Sequence, residues 1–111
     1  MAPRRISILG GGLMGHGIAL VFARAGHDVT LSDPSEAVRE KVLERIAATL
    51  TELGEDTAAV RRVKVVEAIE TCVAKADFVI EIAFEAGTAS EMAETIHPFV
   101  WDERHTVRIT S

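Results

Sequence analysis

The sequence predicts an α/β fold built on a parallel sheet, and three observations predict it. The apolar stretch Ile6-Ser7-Ile8-Leu9 runs straight into Gly10-Gly11-Gly12-Leu13-Met14-Gly15, and helical spacing begins at once. A short β-rich run, Val29-Thr30-Leu31, then delivers Asp33. Further along, Phe78-Val79-Ile80-Glu81-Ile82 reads as a second buried strand between helical stretches. Strands alternating with helices imply right-handed crossovers and therefore parallel pairing.

Each element follows from local chemistry. Residues 4–9 form the first strand. Met14, Ile18, Val21, Phe22 and Ala25 repeat at helical spacing and predict a helix over 13–25, with Gly26 just past its end. Residues 28–32 give the second strand. Val38, Val42, Ile46, Leu50 and Leu53 form one stripe of a long helix that Gly54 ends. Thr49 interrupts the stripe and is expected to return its hydroxyl to the backbone. Glu36, Arg39, Glu40, Glu44 and Arg45 read as its solvated face. Residues 57–62 suit a short turn capped by Asp56, and Val63–Val66 a third strand. A short helix carries Ala68, Ile69, Cys72 and Val73, and the fourth strand follows. Thr88-Ala89-Ser90-Glu91 resembles a capping box that opens a helix with Met92 and Ile96, ending before Pro98. Thr106 to Thr110, with Val107 and Ile109 alternating, suits an edge strand. The result is a doubly wound sheet of about five strands in the order 3-2-1-4-5. Its crevice lies at the carboxyl ends of strands one and four.

The glycine-rich turn carries the chemistry. A strand, then G-x-G-x-x-G, then a helix, then an acid about 20 residues on is the fingerprint of a Rossmann-like dinucleotide site. Gly10 permits the tight turn, Gly12 lets the backbone approach a pyrophosphate, and Gly15 lets the helix press on the sheet. The helix N-terminus at Leu13 and Met14 offers N–H groups and partial positive charge to phosphate. Asp33 is placed to accept from the ribose hydroxyls. Asp33-Pro34-Ser35-Glu36 also fits a helix cap, with Asp33 as N-cap and Glu36 three residues on; one carboxylate can serve both ends. An acid at this position repels a 2′-phosphate, Pro34 offers no positive partner, and Arg39 is expected in solvent. The cofactor predicted is NAD.

Composition narrows the class. The chain has 111 residues, 48% of them hydrophobic and 26% charged, with a net charge of −5. One domain with a real core is affordable at this size, and the acidic balance gives no support to nucleic-acid binding. The apolar stretch behind Arg4 and Arg5 is too short for a signal peptide or membrane span. The single cysteine, Cys72, reads as a small buried residue and points to a reducing, cytoplasmic setting.

Gly10-Gly11-Gly12-Leu13-Met14-Gly15-His16-Gly17-Ile18-Ala19, followed by Ala25-Gly26-His27-Asp28-Val29-Thr30-Leu31-Ser32-Asp33, resembles the N-terminal domain of the 3-hydroxyacyl-CoA dehydrogenase family. Ala76 to Glu85 is similar to that family's second signature. The resemblance implies NAD-dependent oxidation of an L-3-hydroxyacyl thioester, in fatty acid metabolism. It places pyrophosphate at Gly10 to Gly15, adenosine ribose at Asp33, Glu85 near the nicotinamide, and Ser111 near the substrate hydroxyl. It also implies that residues 1–111 are part of an NAD-binding Rossmann domain. The family's catalytic histidine and glutamate, and its substrate and dimerisation domain, lie beyond Ser111.

Several positions depart from the pattern. Ser90 stands where the family has a cofactor-reaching lysine, Ile109 where it has asparagine, and Arg108 where it has a small residue. The acidic run Thr51-Glu52-Leu53-Gly54-Glu55-Asp56 replaces a lysine-rich arm and would repel a CoA phosphate. A relative acting on a free hydroxy acid is therefore a second reading, and a non-catalytic NAD-binding or interaction module a third. None of the four histidines is read as catalytic. His16 is expected at a partly exposed surface, His27 as a favourable cation past a helix end, and His97 and His105 beside turns. The chain alone is expected to be inactive, and its open fifth strand to favour self-association.

Overall fold

The computed structural model describes residues 3–83 and 106–110. Its strands are β1 (Arg5–Leu9), β2 (Asp28–Ser32), β3 (Val63–Val66), β4 (Phe78–Ala83) and β5 (Thr106–Thr110). Helices α1 (Leu13–Arg24), α2 (Glu36–Glu52) and α3 (Ile69–Val73) connect them, with a 3-10 turn over Thr57–Arg62. The sheet runs β3-β2-β1-β4-β5, and every neighbouring pair is parallel. This is the Rossmann-like order that the strand–helix alternation predicts. The helix expected near 88–97, together with His97 and His105, lies outside the described residues.

The sheet's two faces follow from the two-residue period of a strand. Ile6, Ile8, Val29, Leu31, Ile80 and Ile82 join one buried cluster with α1 and α2. Leu9 and Val79 face the other way and pack with Cys72 and Val73 of α3. From α2, Val42, Ile46 and Leu50 are fully buried, each contributing about 2 kcal/mol of transfer free energy. Leu53, expected on that stripe, is 55% exposed at the C-cap of the helix, beyond the last buried residue, Leu50. Thr49 Oγ1 donates to the Arg45 carbonyl at 3.0 Å, the predicted return to the backbone.

Helix α1 is rotated from its predicted face. Its buried residues are Gly15, His16, Ala19, Leu20 and Ala23. Met14 is 38% and Val21 53% exposed. The small residues Gly15, Ala19 and Ala23 recur at i, i+4 and i+8, so they share one face. That face takes the close contact, with Leu20 buried beside it and Ile18 and Phe22 packed at its margin, while Leu13, Met14 and Val21 are turned outward. Hydrophobic spacing alone misses this, because the packing selects for small size.

Both long helices end the same way. Gly26 N–H donates to the Ala23 carbonyl and His27 N–H to Phe22, while Gly54 N–H donates to Thr51 and Glu55 N–H to Leu50. These are paired C-terminal closures that need a positive φ at the glycine, here +98° at Gly26 and +70° at Gly54. Arg24 and Glu55 then meet at 3.1 Å across the surface. Such an exposed pair contributes little. Among the described residues no helix is long and apolar enough to cross a membrane.

Candidate functional site

The carboxyl ends of β1 and β2 lie level, with Leu9 opposite Ser32, while β4 runs two residues past Glu81, the partner of Leu9. The strand order reverses between β1 and β4, which is the switch point where doubly wound folds take ligands. The turn after β1 is tied down on its β2 side. Gly10 N–H donates to the Ser32 carbonyl at 2.8 Å. Gly11 N–H donates to Asp33 Oδ2 at 2.9 Å.

Three glycines build the turn by different means. Gly10 has φ +123°, a conformation that side chains rarely adopt. A Cβ on Gly15 would stand 1.8 Å from the Gly10 carbonyl oxygen. Helix α1 is therefore pressed against the turn's own backbone, a closer partner than the sheet contact expected of Gly15. Gly11, given no role by its sequence position, is buried, and a Cβ there would come within 3.1 Å of Leu31, Val42 and Val38. The run of three glycines was the available signal. Gly12 is the N-cap of α1, at an ordinary φ of −72°.

The N-terminus of α1 is open. The first helical bond runs from His16 N–H to the Gly12 carbonyl at 3.0 Å. The N–H groups of Leu13, Met14 and Gly15 therefore have no partner within the helix. No side chain caps them, and the first turn holds no acid. Leu13 is 82% exposed, so water or a ligand can reach this end. Uncapped donors at the positive end of a helix dipole suit an anion.

Asp33 takes a different post from the one its neighbours suggest. The N-cap of α2 is Ser35, whose hydroxyl accepts from Val38 N–H. Asp33 Oδ1 accepts from Ser35 N–H at 2.8 Å, while Oδ2 holds Gly11. The half-buried carboxylate thus joins the two strand-to-helix turns. The cap stands two residues onward because α2 begins only at Glu36, and the two oxygens of Asp33 take one turn each. Arg39, expected in solvent, instead donates from Nη1 to the Asp33 carbonyl at 2.7 Å and is half-buried.

One histidine also moves. His16 is 9% exposed, not a surface residue, and its Nδ1 lies 3.1 Å from the Gly12 carbonyl. A carbonyl only accepts, so Nδ1 carries the proton in this contact. His27 follows the end of α1 as expected, and its Nδ1 accepts from Arg4 N–H at 3.0 Å. Glu81 is fully buried beside Leu9, a buried acid that the apolar reading of β4 passed over. Cys72 is buried as expected, its Sγ 3.3 Å from the Thr30 carbonyl. Burial pushes its thiol pKa up, partly offset by hydrogen bonds from its surroundings. Glu85 and Ser111 lie outside the described residues. Among the described residues no cluster of His, Cys, Asp and Glu could hold a metal ion.

An open, glycine-lined helix start at the switch point, with an acid at the next strand's end, defines a dinucleotide-binding domain of the dehydrogenase class. The sequence profile of "3-hydroxyacyl-CoA dehydrogenase, NAD binding domain" matches residues 5–94. The chain belongs to this family, and its cofactor is NAD. A probable 3-hydroxyacyl-CoA dehydrogenase of Caenorhabditis elegans is 34% identical over 74% of this chain. The mitochondrial hydroxyacyl-coenzyme A dehydrogenase of Homo sapiens is 31% identical over 85% of it. The chain spans only 32% and 27% of the lengths of these two relatives. The crystal structure of FadB2 from M. tuberculosis superposes with a TM-score of 0.81 at 27% identity, over 99% of this chain and 41% of that one. Dehydrogenases of other substrates share the fold, among them one acting on a pyridine carboxylic acid.

Proposed function

We propose that this chain is the NAD-binding portion of an oxidoreductase that acts on an L-3-hydroxyacyl-CoA. The observation that carries the reading is the uncapped, acid-free start of α1 held against a φ +123° glycine. In this reading the pyrophosphate lies on the amides of Gly12, Leu13, Met14 and Gly15, with Gly10 shaping the turn. Gly12 needs no special backbone angle, so its value lies in the room that a missing side chain leaves. Asp33 accepts from the adenosine ribose with whatever lone-pair capacity Gly11 and Ser35 leave. Glu85 serves the nicotinamide side, and Ser111 the substrate hydroxyl. When bound, NAD supplies the hydride acceptor. This chain's residues bind it, orient it and exclude the 2′-phosphorylated form.

The acidic end of α2 favours a second reading, a relative acting on a free hydroxy acid. Glu52, Glu55 and Asp56 stand where a CoA phosphate would need cations. We also assign the chain to the cytoplasm, on its lone buried cysteine, and to fatty acid metabolism. Its self-association would run through the β5 edge, which pairs only with β4 among the described strands.

Calorimetric titration of the 111-residue chain with NADH and with acetoacetyl-CoA tests these assignments. NADH binding with heat from both ligands is the expected result. NADH binding without any acetoacetyl-CoA signal favours the free-acid relative or the non-catalytic NAD-binding module. Absence of NADH binding removes the cofactor site altogether.

A further inference from the structure

The contact that Arg39 makes concerns the sugar end of the same cleft, and the inference rests on the cofactor site proposed above. Arg39 lies in the first turn of α2 and reaches back to the carbonyl of Asp33 at 2.7 Å. It does not meet the carboxylate, since the ion pair found among the described residues is Arg24 with Glu55. The carboxylate is engaged elsewhere, by the amides of Gly11 and Ser35. A guanidinium has five N–H donors, and one is used here. The half-buried fork is therefore anchored at the main chain of the sugar-reading residue, with donors to spare and its charge not cancelled.

We propose that Arg39 is a latent specificity determinant: a phosphate-binding group held at the adenosine ribose and overruled by the charge of Asp33. A planar fork is the group best suited to a phosphate monoester. A nearby arginine is how doubly wound domains accommodate a 2′-phosphate. Two carboxylates oppose that use here. One is that of Asp33, whose main chain Arg39 holds, and the other is that of exposed Glu36 in the same helical turn. The site discriminates against NADP by repulsion laid over an attraction that is already built. Removing the charge at residue 33 uncovers the attraction without any new cation.

Fluorescence titration with NADH and NADPH tests this on the chain and three variants: Asp33→Ser, Arg39→Met and the double variant. Asp33→Ser is expected to raise NADPH affinity by about tenfold or more, the scale of a charge-assisted hydrogen bond. Adding Arg39→Met should abolish most of that gain while moving NADH affinity by less than about threefold. A purely structural role for Arg39 would weaken both nucleotides alike, so the NADPH-to-NADH ratio is the deciding quantity. A gain that survives Arg39→Met, or no gain at all, overturns the inference. If loss of the Gly11 tie unfolds Asp33→Ser, seen by circular dichroism, Arg39→Met alone decides: the ratio must fall, and an unchanged ratio overturns the proposal. Failure of the unmodified chain to bind NADH removes the cofactor site and this inference together. NADH binding with an inert Arg39 removes the inference alone.

Discussion

The turns after β1 and β2 solve the same geometric problem in opposite ways. Each must carry the chain from a buried strand into a helix packed on the same face. The second closes on itself: Ser35 caps Val38, Asp33 holds Ser35, and Glu36 faces the helix dipole. The first leaves its helix start bare of caps and of acids, and spends glycines to do so. A bare helix start costs about 1 kcal/mol against a capped one. One turn is therefore finished by folding, and the other is left open, as the proposed nucleotide site requires. The two are not independent, because the carboxylate of Asp33 bonds to both.

Gly15→Ala should break the comparison most severely. The new methyl would meet a main-chain oxygen 1.8 Å away, and neither backbone can yield cheaply. A loss of about 3 kcal/mol or more in urea denaturation is expected, with NADH binding abolished. Gly12→Asp gives the first turn the kind of cap that the second one has. Its φ of −72° suits any residue. Stability should stay within about 1 kcal/mol of the parent while NADH affinity falls by about a hundredfold. Retention of full affinity would mean that the amides of α1 do not hold phosphate. Ser35→Ala removes the cap of the second turn and should cost about 1 kcal/mol, with NADH affinity nearly unchanged.

The smallest effect concerns Cys72, whose Sγ lies beneath both strands, near the Ile8 and Thr30 carbonyls. Burial raises its folded-state pKa above the ordinary thiol value of 9.0. A raised value means that its contribution is fully present below pH 9.0 and is lost as pH rises through the folded value. Unfolding free energies from urea titrations between pH 8 and pH 10.5 should therefore fall by an amount on the order of 1 kcal/mol, and Cys72→Ala should remove that limb. An equal fall in the variant would assign the alkaline loss to other groups.

Legibility differed in the same way between the two turns. Strand order, the helix-ending glycines and the cap at Asp56 followed from local chemistry, and Asp56 does accept from Ala58 N–H. Asp33-Pro34-Ser35-Glu36 contains two good cap residues, and nothing local chooses between them. What the local sequence also hides is the long-range tie, since Gly11, far off in sequence, takes the second oxygen of Asp33. Arg39 was misread for a related reason: face periodicity says which side of a helix a residue leaves from, not how far a long side chain returns. His16 and the rotation of α1 escaped because both depend on the close approach at Gly15. Glu85 and Ser111 had the resemblance alone behind them.

The sheet is loaded unequally. Among the described residues the face under α1 and α2 carries the large apolar cluster, and the face under α3 only a small one. Helix α3 has five residues and no side-chain cap. Amide protons of α3 should then exchange with deuterium well before those of β1 and α2, because opening this side exposes little apolar area. The glycine turn after β1 leads into the helix on the heavily packed face, so opening at the α3 side would leave that turn undisturbed.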